Sequence, residues 1–177
     1  AALPGGDLIE DEDDAFEFQA DAAPAPDAGL ADWLVAAREA AALADRADGR
    51  SRSALYSALS RAYDFSLVAD ANPAEFDQLL EDSGIAVQER APMTPVVKLI
   101  FGAGYDKTRL TEFAAALDYG HRNAVPMGGL FALLSSHDGG LKGIVQAERR
   151  ARKVMKGEHV APVIADPRPR LRAARAR

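Results

Sequence analysis

Apolar residues recur three and four positions apart through the middle of the chain, a spacing that places them along one face of an α-helix. The first such stripe consists of Leu30, Trp33, Leu34, Ala37, Ala41 and Ala44. Hydrophobic residues make up 48% of the chain but aromatic residues only 7%. Much of the remainder is alanine, which favours helix at little entropic cost. We therefore predict an all-α fold: a compact bundle of about six or seven short helices over residues 29–157.

Residues typical of helix ends separate these stripes. We expect Ser51 or Ser53 to cap the second helix, and Asn72 to cap the third, with Pro73 in its first turn. Asp106 should cap a later helix. Three glycines are expected to end helices: Gly49, Gly84 and Gly120.

Three further segments complete the predicted bundle. The run that follows Thr94 and Pro95 has the β-branched residues of a strand and the cap of a helix. We predict a helix, because no second strand is evident to pair with it. A short helix is expected to start near Pro126, and the last helix should run from Leu141 to about Lys156.

The two ends of the chain differ in charge. Residues 1–32 carry ten acids and no base, whereas residues 141–177 carry eleven bases and three acids, within a net charge of −6. We expect a disordered acidic tail over residues 1–28 and a flexible basic tail over residues 158–177, since neither has a helical apolar stripe. Such asymmetry is typical of tails that bind partners or each other.

The basic end leads to our first hypothesis: a non-enzymatic cytoplasmic protein, a regulatory or maintenance factor, that associates with nucleic acid, DNA more than RNA. Its cations could contact phosphates with salt-sensitive, sequence-independent affinity. The predicted nucleic-acid-binding residues are Lys107, Arg109, Arg122, Arg149, Arg150, Arg152, Lys153, Lys156, Arg168, Arg170, Arg172, Arg175 and Arg177. If Lys107, Arg109, Arg122 and the final helix share one face, nucleic acid is favoured.

The acidic end leads to the alternative, an adaptor that docks protein partners through this segment or a helical groove. Its candidate partner-binding residues are Leu8, Ile9, Phe16 and Phe18, which interleave with the acids. Spaced apolar side chains in an acidic tract can enter pockets of a basic groove. Cations that scatter over the surface would favour this hypothesis.

Motifs for chemistry are weak. Residues 101–108 resemble part of a phosphate-binding loop, but Asp106 and Phe101 stand where that loop needs glycine. Lys107 and Arg109 nevertheless fall in the first turn of their helix, where cations are disfavoured unless nearby acids or an external anion offset them.

Residues 110–134 have the glycine turn of a helix-turn-helix, at Gly120, but Pro126 would break the reading helix. Residues 135–138 (Ser-Ser-His-Asp) are interpreted as a polar loop, since triads are assembled in space rather than in sequence. The chain has no cysteine, and its three histidines lack metal-ligand spacing. We expect no enzyme activity, cofactor or metal. No apolar run is long enough to span a membrane.

Overall fold

The computed structural model describes residues 23–47 and 51–157 of the 177-residue chain. These residues form seven α-helices and no strands, which confirms the predicted all-α bundle. The helices are α1 (Leu30–Arg46), α2 (Arg52–Ala71), α3 (Pro73–Asp82), α4 (Thr94–Phe101), α5 (Lys107–Arg122), α6 (Leu130–Ser136) and α7 (Gly140–Met155).

Helix α2 lies at the centre of the bundle and packs against α1, α3, α4, α5 and α6. Small residues on this helix, such as Ala58 and Ala62, are fully buried and let neighbouring helices approach closely. Further along the same helix, Tyr63 and Phe65 belong to the core together with Phe113 of α5. A helix buried on most of its sides in this way organises the others around it.

Local signals set several helix ends as predicted. The Ser51 hydroxyl accepts from Ala54 N at 3.1 Å, and the Asp106 carboxylate accepts from Arg109 N at 2.9 Å. Gly84 adopts φ +67° at the end of α3, where Ile85 N donates to Leu80 O at 2.9 Å. The ambiguous run after Thr94 is a helix, as predicted.

Three details differ from the sequence-based predictions, and a fourth prediction is not tested. Asn72 precedes α3, but its side chain caps no N–H and donates instead to Val68 O at 2.9 Å. Met93, rather than Thr94, is the N-cap of α4. The short helix expected at Pro126 begins at Leu130. Gly49 lies outside the described residues, and α1 ends at Arg46.

Gly120 does not end α5, which continues to Arg122. This residue is buried inside the helix, and a Cβ placed there would lie 2.7 Å from Cε2 of Tyr63. The absence of a side chain at Gly120 therefore allows α5 to pack closely against α2. The helix-turn-helix hypothesis also fails at this residue, because the required turn is helical.

Candidate nucleic-acid interface

Helix α7 has one face in the bundle and one in solvent. Ile144, Val145 and Glu148 are buried. Four exposed cations of the helix lie away from these buried residues, and exposed Lys156 follows the end of the helix. Together they are called the cationic face: Lys142, Arg149, Arg150, Lys153 and Lys156. At 1.5 Å per residue, Lys142 and Lys156 lie about 21 Å apart along the helix axis.

The cationic face carries charge that the described part of the protein leaves uncompensated. None of its five cations forms an ion pair with a described carboxylate. The one acid of α7, Glu148, is buried on the other side. Positive potential therefore accumulates along the solvent side of this helix.

Two predicted binding residues have an internal role instead. Arg122 donates to both carboxylate oxygens of Glu148, at 2.7 and 3.0 Å, and Arg152 donates to Glu148 Oε1 at 3.1 Å. Arg152 also pairs with Asp118 of α5. The hydrogen bond that Arg122 donates to Glu148 raises the pKa of this guanidinium group above its usual range. Both guanidinium groups thus fasten α7 to α5 and contribute little free charge.

Desolvation acts on Asp118, the second acid of this network. Burial raises the pKa of Asp118 from 3.8 to about 6, against the lowering effect of the Arg152 charge. A carboxyl group with this pKa changes its charge in mildly acidic solution.

Lys107 and Arg109 lie in the first turn of α5, whereas Arg122 is its last residue. A rise of 1.5 Å per residue separates the two ends of that helix by about 20 Å. The predicted cations therefore do not share one face, which is the outcome expected to favour the adaptor. The structure groups Arg149, Arg150, Lys153 and Lys156, ties Arg122 to Glu148, and leaves Arg109 elsewhere. Nucleic-acid binding then depends on the cations of α7 rather than on one shared face. Lys142 was missed, although its seven-residue spacing from Arg149 could have revealed it.

The remaining predicted residues lie outside the described ranges. These are the tail arginines Arg168, Arg170, Arg172, Arg175 and Arg177, and the apolar residues Leu8, Ile9, Phe16 and Phe18. Binding by either group stays a prediction.

A serine, a histidine and an aspartate meet between α2 and α5, which sequence reasoning missed. Ser66 Oγ lies 2.7 Å from His121 Nε2, and His121 Nδ1 lies 3.7 Å from Asp70 Oδ2. However, Ser66 is only 1% exposed and its hydroxyl donates to Tyr63 O at 2.5 Å. His121 Nε2 must then be the donor to Ser66, and burial lowers the pKa of this imidazole. The arrangement fits a polar fastening of two helices.

The fragment that resembles a phosphate-binding loop lacks the context of one. A helix, α4, precedes it where a strand is needed, and the Asp106 carboxylate caps α5 at the place of a phosphate. Among the described residues, no three acids or histidines group to hold a metal ion. None of the helices in those ranges is long and apolar enough to cross a bilayer.

Comparison with known proteins adds no relative. No family model, curated protein or solved structure matches this chain.

Proposed function

We propose that this protein is a non-enzymatic DNA-binding protein whose contact surface is the cationic face of α7, continued by the arginines of residues 158–177. The observation that supports this proposal is the row of five exposed cations without a described counter-ion. Lys and Arg side chains that neutralise phosphates release counter-ions from the nucleic acid, which supplies affinity without sequence readout.

A duplex DNA can accommodate an α-helix that carries the contacting cations better than a duplex RNA can. The major groove of B-form DNA is about 12 Å wide and admits an α-helix. The A-form major groove of RNA is deep and narrow and excludes one. Helix α7 lies at the surface with its long side chains pointing outward, so its cations can reach phosphates on the groove edges.

The number of cations sets the expected salt dependence. Each neutralised phosphate contributes about −0.9 to the slope of log affinity against log salt concentration. Five contacts by the cationic face alone give a slope of about −4.5. Affinity would then fall roughly 500-fold between 50 and 200 mM salt, and the tail arginines would steepen the loss.

The test is fluorescence anisotropy of a random-sequence DNA duplex with the full chain at increasing salt. Arg149→Gln combined with Lys153→Gln should reduce the magnitude of the slope by about 2. Arg46→Gln combined with Arg90→Gln removes the same charge from exposed positions elsewhere and should leave the slope unchanged. A chain ending at residue 157 measures the contribution of the tail.

Two results would reject the proposal. The first is no binding by the full chain at low salt. The second is an equal loss in both double variants, because net charge alone would then explain the binding. A duplex RNA of matched length should bind more weakly than the DNA.

A further inference from the structure

A wide groove opens between the first turns of α2, α5 and α7, with the end of α6 as its fourth side. Its volume is about 1060 Å³, which accommodates a molecule of nucleotide size. Leu55, Tyr56 and Leu141 are among the apolar residues in its wall.

Cations from three separate helices line this groove: Arg52, Arg109 and Lys142. None of them forms an ion pair with a described carboxylate. Each stands in the first turn of its helix, where the backbone dipoles already supply positive potential. The fold thus places three mutually repelling charges around one opening.

Two acids offset part of this charge, so the Lys, Arg, Asp and Glu side chains of the groove sum to one net positive charge. The Asp106 carboxylate accepts from the α5 backbone as a cap, which leaves Glu112 as the second lining acid. The hydroxyls of Ser53, Thr108 and Ser135 line the same space, and none has a hydrogen-bond partner among the described residues. The hydroxyls and the three cations therefore offer donors to a ligand from several sides of the opening.

We propose that this groove binds a small phosphate-bearing molecule. A phosphate group presents several anionic oxygens, which cations and hydroxyls from three helices can contact at the same time. A carboxylate ligand has only two oxygens and could not use all of these groups. The apolar wall would hold an uncharged portion of the same ligand. Lys142 belongs to both surfaces, but Arg52 and Arg109 line only the groove, whereas Arg149 and Lys153 belong only to the cationic face, so either proposal can fail alone.

Pyrophosphate is the probe. The ¹H–¹⁵N NMR spectrum of the full chain is followed during titration, with sodium chloride holding ionic strength constant. Amide signals around Arg52, Thr108 and Lys142 should move saturably. Arg52→Gln and Arg109→Gln should each weaken binding about tenfold, the loss expected for one charge-assisted hydrogen bond.

Glu112→Gln should have the opposite effect on affinity. It removes a negative charge that repels pyrophosphate, so binding should tighten severalfold. Loss of folding cannot imitate that gain. Arg46→Gln, outside the groove, should bind as the parent does. The proposal is wrong if sodium chloride alone reproduces the shifts, or if Arg52→Gln and Arg46→Gln behave alike.

The phosphate could also belong to nucleic acid. A DNA duplex is therefore titrated with and without saturating pyrophosphate. DNA that shifts the signals of residues 149–156 but not those of Arg52 and Thr108 supports a small-molecule site. DNA that shifts the groove signals and is displaced by pyrophosphate assigns the groove to nucleic-acid phosphates and overturns the small-molecule proposal.

Discussion

Glu148→Gln tests the interaction that fastens the cationic helix to the bundle. The glutamine keeps the shape of the side chain but removes its negative charge and replaces one acceptor oxygen with an NH₂ donor. In the parent, both oxygens are used: Arg122 donates to the two of them, and Arg152 donates to one. In the variant, at least one guanidinium group faces another donor.

The expected loss of stability depends on how deeply Glu148 and its arginine partners are buried. Breaking a fully buried ion pair costs about 3–5 kcal/mol, because the surviving charge stays desolvated. Here the carboxylate is 0% exposed, but the Arg122 and Arg152 side chains are 32% and 36% exposed. They can turn partly toward water, so we expect a smaller loss of about 2–3 kcal/mol in the free energy of unfolding.

Urea unfolding followed by tryptophan fluorescence measures this loss. Trp33 is the single tryptophan and is 3% exposed in the core, so its emission reports the whole bundle. Glu39→Gln is the matched control, since Glu39 is exposed and has no described ion-pair partner. Its free energy of unfolding should stay within about 0.5 kcal/mol of the parent.

A double-mutant cycle with Arg122→Gln assigns the loss to the pair itself. If Glu148 stabilises through Arg122, the two substitutions together should cost clearly less than the sum of the separate losses. A Glu148→Gln protein as stable as the Glu39→Gln control would refute the reasoning, and α7 would then be held by its apolar residues alone.

Two further predictions concern pH and packing. Burial raises the pKa of Asp118 from 3.8 to about 6, so the folded state holds a proton that the unfolded chain has lost, and this group lowers stability as pH rises from about 4 to about 6. Asp118→Asn should remove that component, seen as a smaller fall in the urea midpoint over this range. Gly120→Ala should destabilise by about 1–3 kcal/mol, because its Cβ meets the ring of Tyr63, whose hydroxyl donates to Val125 O at 2.5 Å. Gly104→Ala, with no atom within 4 Å of its Cβ, is the control, and urea unfolding of both variants measures the difference.

Helix boundaries were predictable where the cause is local. Ser51 and Asp106 cap helices through backbone groups three residues away, and Gly84 supplies a positive φ at a helix end. Such signals lie within one turn of chain and can be read without knowing the fold. The number of helices and the extent of α7 followed from the same kind of information.

Gly120 was misread because its role depends on a distant residue. Glycine is both a helix terminator and the residue that permits close approach, and the sequence alone does not distinguish these uses. The ring of Tyr63 on α2 decides between them. Likewise, the contact of Arg152 with Glu148 spans only four residues of one helix, whereas the contact of Arg122 with Glu148 depends on how α5 and α7 pack.

Charge counting predicted a basic C-terminal helix but not which cations stay free. A net charge of −6 gives the chain no long-range attraction for a polyanion. At physiological salt, however, interactions are screened beyond about 8 Å, so binding depends on the charges next to the ligand rather than on the sum. Glu148 pairs with Arg122 and Arg152 on the side of α7 that faces the bundle. The outward cations of α7 therefore face solvent without an acid beside them. If α7 binds DNA as proposed, these local charges rather than the net charge would supply the affinity, and added salt should weaken the binding steeply.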